Sequence, residues 1–190
     1  ALRLAGSVGN GVRDDHDLGR FGLGLKTASL SQARQLTVVT SRSGTTTSLQ
    51  WDIDHVKATG QWSLQVLEDS ELAEVPGIEE LREREAGTLV VWRNLDYLIG
   101  RADDKSLLMA DRLTALRDHL SLTFHRFLGG RPGERLQITV NGVVIPSIDP
   151  FLSSNPKTQR TPLERIVVDG QKIEATAYTL PHASGLKAKD

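Results

Sequence analysis

The chain contains no cysteine. That excludes disulfides, thiolate catalysis and cysteine-ligated zinc, and it is compatible with the reducing cytoplasm that we take as the expected location. No sign of charge is in excess: 23 Lys and Arg stand against 24 Asp and Glu, a formal net charge of −1. Nucleic-acid binding gains no support from that balance, although a local basic patch is compatible with it. No apolar run approaches the roughly 20 residues that span a bilayer, so no membrane partner is expected, and no signal-peptide pattern opens the chain. There is no internal repeat and no low-complexity tract. What remains, 38% hydrophobic and 25% charged over 190 residues, suits a folded chain of one or two domains and argues against disorder.

The most informative stretch is Gly19-Arg-Phe-Gly-Leu-Gly-Leu-Lys-Thr27. Glycines permit positive φ and remove the Cβ that would hold an anion away. The run feeds a predicted helix, whose free N–H groups and dipole favour negative charge. A nucleotide phosphate is the natural ligand. The spacing is not that of a Walker A loop, because Leu25 stands where the lysine belongs. It is not that of a dinucleotide fingerprint either, because position 27 is Thr rather than Gly. Both of those loops also follow a buried strand, whereas this one follows the polar Arg13-Asp-Asp-His-Asp17.

Asp17-Leu-Gly-Arg-Phe-Gly-Leu-Gly-Leu-Lys-Thr-Ala-Ser-Leu30 closely resembles the second glycine box of the GHKL (Bergerat-fold) ATPases. That superfamily includes gyrase B subunits, large heat-shock chaperones, histidine kinases, MutL-type and MORC-type proteins. The Phe-Gly-x-Gly-x-Lys-x-x-Ser form is most similar to MORC-type and related bacterial ATPases. The resemblance implies that Phe21, Gly22, Leu23, Gly24, Leu25 and Lys26 lie on the triphosphate under a closing lid, with Gly19 and Arg20 completing the cofactor-binding set. Gly87-Thr-Leu-Val-Val-Trp92 resembles the family's Gly-Thr strand, which implies that Thr88 belongs to the adenine-side network. The later segments around His119–Leu128, Leu136–Gly142 and Asp149–Phe151 resemble the start of a transducer-like second domain.

The resemblance also implies parts that the sequence does not carry. The family's upstream helix, with a Glu base and a Mg²⁺-holding Asn, and its Asp-x-Gly-x-Gly adenine box have no counterpart in this sequence. The chain is therefore expected to be a fragment, or the ordered part, of a longer protein. The expected ligands are ATP and, with the complete site, Mg²⁺, and a homodimer through the ATPase heads is compatible with the family. No catalytic residue and no metal ligand is assigned, and whether the full-length protein is an ATP hydrolase stays open. Two alternatives stay open as well: a degenerate, non-catalytic interaction module, and a histidine-kinase-type domain. The hundred or so residues after the Gly-Thr strand disfavour the second.

The rival readings of individual residues are structural. Lys26 could be a helix-surface lysine whose stem covers apolar surface, and Thr88 an ordinary β-branched strand residue. The histidines lack metal-site spacing: His119 and His125 lie six apart on a predicted helix and point to different faces.

Periodicity predicts a helix over 23–33, a strand over 35–41, a turn at 42–44 and a strand over 45–53 with Leu49, Trp51 and Ile53 on one face. A third strand is expected with Trp62, Leu64 and Val66 alternating, then a helical piece near 78–84 and a strand over 88–93. A long helix over 107–128 carries Leu113, Leu116, Leu120, Phe124 and Phe127 on one stripe, closed by a left-handed cap at Gly129-Gly130. Asn141-Gly142 and Asp169-Gly170 each predict a hairpin. The fold class is thus α+β: a partial Bergerat-type domain over 1–99, helix on mixed sheet, followed by a smaller α/β transducer-like domain over 100–190.

Overall fold

The computed structural model describes residues 24–130 and 135–186. Positions 19–23 of the glycine segment lie outside the described residues. The chain divides into two compact units, Ala1–Lys105 and Ser106–Asp190.

The first unit is built on a three-stranded antiparallel sheet. Helix α1 (Gly24–Leu30) leads to β1 (Gln35–Arg42), which pairs with β2 (Thr45–Asp52) on one side and β3 (Ala86–Arg93) on the other, giving the order β2-β1-β3. Between β2 and β3 run three short helices, α2 (Ile53–Thr59), α3 (Asp69–Ala73) and α4 (Ile78–Arg82), and α5 (Asp96–Ile99) follows β3. The β1–β2 connection is a two-residue turn with Ser43 at φ 51° and Gly44 at φ 76°. Positive φ at both central residues matches the right-handed twist of the strands they join.

Central β1 is buried on both sides, so its residues sort by register into two cores. On one face, Leu36, Val38 and Trp51 form an apolar cluster that Leu30 of α1 covers. On the other, Val39 packs with Leu72, Val75, Ile78 and Leu81 from α3 and α4, joined by Leu67, Leu89 and Val91. Helices thus flank the sheet on two sides. The described strand pairs are antiparallel only, not the mixed set expected.

Several elements differ from the sequence-based expectation. Helix α1 ends at Leu30, where the N–H groups of Gln32 and Ala33 both turn back onto the Ser29 carbonyl. Ile53 opens α2 instead of ending β2, because the Asp52 carboxylate caps the N–H groups of Asp54 and His55. Burial pushes the Asp52 carboxyl up, but hydrogen bonds from Gln35 and those two N–H groups outweigh it and hold the carboxyl below its ordinary value. The expected third strand is an extended edge segment with one bridge, Gln50 to Gln65. There Trp62, Leu64 and Val66 face outward, 57%, 41% and 69% exposed. The polar residues turn inward instead, through Thr37–Gln50–Gln65 side-chain hydrogen bonds and a 2.9 Å contact between His55 Nε2 and Ser63 Oγ.

The second unit opens with α6 (Lys105–Thr123) and α7 (His125–Leu128), separated by a turn at Phe124. The inward face of α6 runs through Leu113, Arg117, Leu120 and Ser121, leaving Leu116 and Phe127 of the expected stripe exposed. Arg117 donates to the Val140 carbonyl, and the Ser121 carbonyl accepts from the Ile148 N–H. Gly129 sits at φ −86°, so the expected left-handed cap is absent there. A Cβ at Gly129 would come within 3.1 Å of the His125 carbonyl oxygen and 3.2 Å of Ser147 Oγ, so close approach explains this glycine.

Both expected hairpins form. Asn141 and Gly142 (φ 51° and 77°) join β4 (Thr139–Val140) to β5 (Val143–Val144). Asp169 and Gly170 (φ 50° and 78°) join β7 (Glu164–Val168) to β8 (Gln171–Ala175). Short strands β6 (Gln159–Arg160) and β9 (Tyr178–Thr179) pair antiparallel. Phe151 stacks on Tyr178 at 4.7 Å, and His125 meets Phe151 edge-on at 5.9 Å.

Candidate nucleotide-facing sheet surface

Antiparallel register places directly opposed residues on the same face of a sheet. The face under α1 therefore carries four cross-strand rows: Trp51–Leu36–Trp92, Leu49–Val38–Val90, Thr47–Thr40–Thr88 and Thr45–Arg42–Ala86. The first two rows are apolar, the third is three hydroxyls and the fourth brings a guanidinium. From Leu36 to Thr40 the surface extends roughly 13 Å along β1, at about 3.3 Å per residue.

Of the candidate residues, Lys26 and Thr88 fall on this surface. Gly24 is the first residue of α1, and no described atom lies within 4 Å of a Cβ placed on it. Leu25 is 41% exposed. Lys26, half-buried, holds its ammonium 5.2 Å from the centroid of the Trp51 ring. Thr88 sits at the other end of the surface, its hydroxyl 3.3 Å from that of Thr40, which also contacts the Gly87 carbonyl at 3.2 Å. Gly19, Arg20, Phe21, Gly22 and Leu23 lie outside the described residues. Lys26 and Thr88 thus share a face without touching the same row.

The Gly-Thr pair divides its work between the two faces. Thr88 points to the α1 side, and Gly87 to the α4 side, where an added Cβ would stand 2.8 Å from Leu81 Cδ1. The glycine serves the packing of α4, and the threonine is left for whatever lies on the opposite face. Ser29 of the glycine segment is fully buried, and its Oγ has no partner among the described residues.

Two participants were not legible in the sequence: Trp51 as the seat of Lys26, and Thr40 as the partner of Thr88. The Leu49–Trp51 alternation signalled an inward face, but only cross-strand register could pair these residues. Beyond β2, Arg34 donates to Asp54 and stands 2.7 Å from Asp96, tying the starts of α2 and α5 together. The Asp54 hydrogen bond raises the guanidinium pKa, against the opposing effect of burial.

Mg²⁺ takes oxygen ligands, typically a carboxylate or two with waters. The four rows offer hydroxyls, aliphatic groups, indoles and one arginine, with no carboxylate. They do not fit a Mg²⁺ site, and among the described residues no three His, Asp or Glu side chains cluster to hold a metal. Nor is any described helix long and apolar enough to cross a membrane.

Residues 1–88 match the family model of the histidine kinase-, DNA gyrase B- and HSP90-like ATPases. The match supports that ATPase family for the first unit. It takes in both the glycine segment and Thr88, and it ends within β3. No curated protein matches the chain significantly.

Proposed function

We propose that the first unit binds ATP across the α1 face of its sheet, with the glycine segment toward the phosphates and Thr88 toward the base. The observation that carries this reading is the placement of Lys26 and Thr88, far apart in sequence, over one sheet surface within the ATPase-like segment. The row order suits the ligand: a cation at the α1 end, then apolar surface, then hydroxyls able to hydrogen-bond a base or its ordered water. In the whole protein, lid closure over the triphosphate and movement of the second unit would follow, as a γ-phosphate orders switch segments elsewhere. The Phe-Gly-x-Gly-x-Lys-x-x-Ser form favours the MORC-like branch, and closure of the lid would accompany pairing of two ATPase heads. Hydrolysis would require a general base and Mg²⁺ ligands that the four rows do not supply.

The test is a titration of the full-length protein with a non-hydrolysable ATP analogue, with Gly24→Ala, Lys26→Met and Thr88→Val in parallel. Binding that all three weaken supports the reading. A folded protein that takes up no nucleotide overturns it in favour of an interaction module, and phosphotransfer from ATP to a protein histidine overturns it in favour of a kinase.

A further inference from the structure

The β7–β8 hairpin is a two-stranded sheet on its own, and among the described residues no third strand pairs with either edge. It is exposed on both faces: Ile166 is 47% exposed, Val167 66%, Val168 48% and Ile173 47%. A lone two-stranded hairpin is marginal in water, and an open apolar edge is a template for another strand.

The register fixes which backbone groups are open. In a two-residue hairpin the flanking pair, here Val168 and Gln171, exchanges hydrogen bonds, and bonded and non-bonded pairs alternate from there. Ile173 is then bonded inward to Ile166. Lys172 and Glu174 direct their N–H and C=O groups outward along β8, and Arg165 and Val167 do so along β7.

The outer edge of β8 is self-complementary. Laid antiparallel on a second copy with Ile173 opposite Ile173, it sets Lys172 against Glu174 twice, and these are the residues whose backbone groups are free to bond. On one face this makes a row of four isoleucines, Ile166–Ile173 and the same pair from the second copy. On the other face Glu174, already 3.0 Å from Arg165, falls between Arg165 and the second copy's Lys172, so charges alternate across the row. Registers centred on Lys172 or Glu174 set like charges together, which destabilises a strand pair. The same construction on β7 sets Arg165 against Val167 and gains no ion pair.

We propose that β8 is a homotypic docking edge through which two copies of this chain form a four-stranded antiparallel sheet, β7-β8-β8-β7. Five residues per strand make a small interface, so the association is weak and concentration-dependent.

Sedimentation equilibrium of the full chain tests it, combined with hydrogen exchange at residues 171–175. The wild-type chain is expected to dimerise, with the Lys172 and Glu174 amides gaining protection as concentration rises. Lys172→Glu replaces two attractive pairs by two repulsive ones and weakens association about tenfold. The triple variant Arg165→Glu, Lys172→Glu, Glu174→Lys inverts every charge in the row, recovers self-association and does not mix with wild type. Lys172→Pro removes the outward N–H while sparing the inner ladder, and circular dichroism checks that the fold persists. A chain that stays monomeric at millimolar concentration overturns the proposal. So does a dimer indifferent to Lys172→Glu, or β8 amides protected independently of concentration by another segment of the same polypeptide.

Discussion

The Lys26 ammonium rests over the Trp51 ring, 5.2 Å from its centroid. The contact joins the end of the glycine segment to the far end of the edge strand β2. It also sets the indole beneath the lysine in competition with any anion arriving at the start of α1.

Lys26→Met keeps the apolar stem and removes the charge. The loss of the cation–π contact is expected to cost about 0.5–1 kcal/mol, read as a small shift in the denaturation midpoint. In a Trp62→Phe background, which removes the most exposed indole, a triphosphate that draws Lys26 away should alter tryptophan emission. The Met variant should lose that response along with part of its affinity. An unchanged affinity in Lys26→Met would make this lysine a cover for Trp51 and nothing more.

Gly24→Ala separates folding from binding. The added methyl meets no described atom within 4 Å, and Ala in place of Gly at the first position of α1 favours the helix by at most about 0.5 kcal/mol, less than in a helix interior. The variant should melt slightly higher while binding the ATP analogue more weakly, because the methyl occupies space left for the phosphate. Tighter folding with undiminished binding would move the phosphates away from α1.

Gly87→Ala should destabilise the first unit by about 1–3 kcal/mol through overpacking against Leu81. Trimming Leu81 to Ala should remove most of that penalty, giving a strongly non-additive double-mutant cycle. Thermal unfolding of the four proteins measures it. An additive cycle would place the cost of Gly87→Ala in the backbone of β3 rather than in the contact.

Asp149 is expected to contribute to the acid limb of the second unit's stability. Its carboxylate accepts from the Ser153 hydroxyl and from the N–H groups of Phe151 and Ser153, and these bonds hold its pKa below the ordinary 3.8. A group depressed on folding contributes stability above its unfolded pKa and loses it as pH falls through the folded value. The second unit should therefore be indifferent to this group between about pH 5 and 7 and weaken below about pH 4. Asp149→Asn should cost about 1 kcal/mol at neutral pH and flatten the acid limb. Titration of the Ser153 amide by NMR follows the group directly.

How far the sequence could be read depended on the range of the interaction involved. The hairpins at Asn141-Gly142 and Asp169-Gly170 were legible because two adjacent residues with positive φ are a local demand that few sequences meet. The segment at Trp62, Leu64 and Val66 misled for the opposite reason. Its alternation is that of a strand with an apolar inner face, yet Gln50 and His55 hold the polar residues Gln65 and Ser63 inward, and those partners lie outside any local window. Ile53 continued the alternation of β2, but the Asp52 cap turned the chain into α2.

The sequence by itself determined the turn positions, the strand runs of β1 and β3, the one-faced alternation of β2, and the glycine segment with its ATPase-like pattern, because each is written in residues that are neighbours along the chain. Only the tertiary structure decided that Lys26 lies over Trp51, that Thr88 meets Thr40, and that Gly87 exists for Leu81. Those pairings follow from cross-strand register and from which helix covers which face. Both are set by the burial of β1 as a whole, and no short stretch of sequence encodes them.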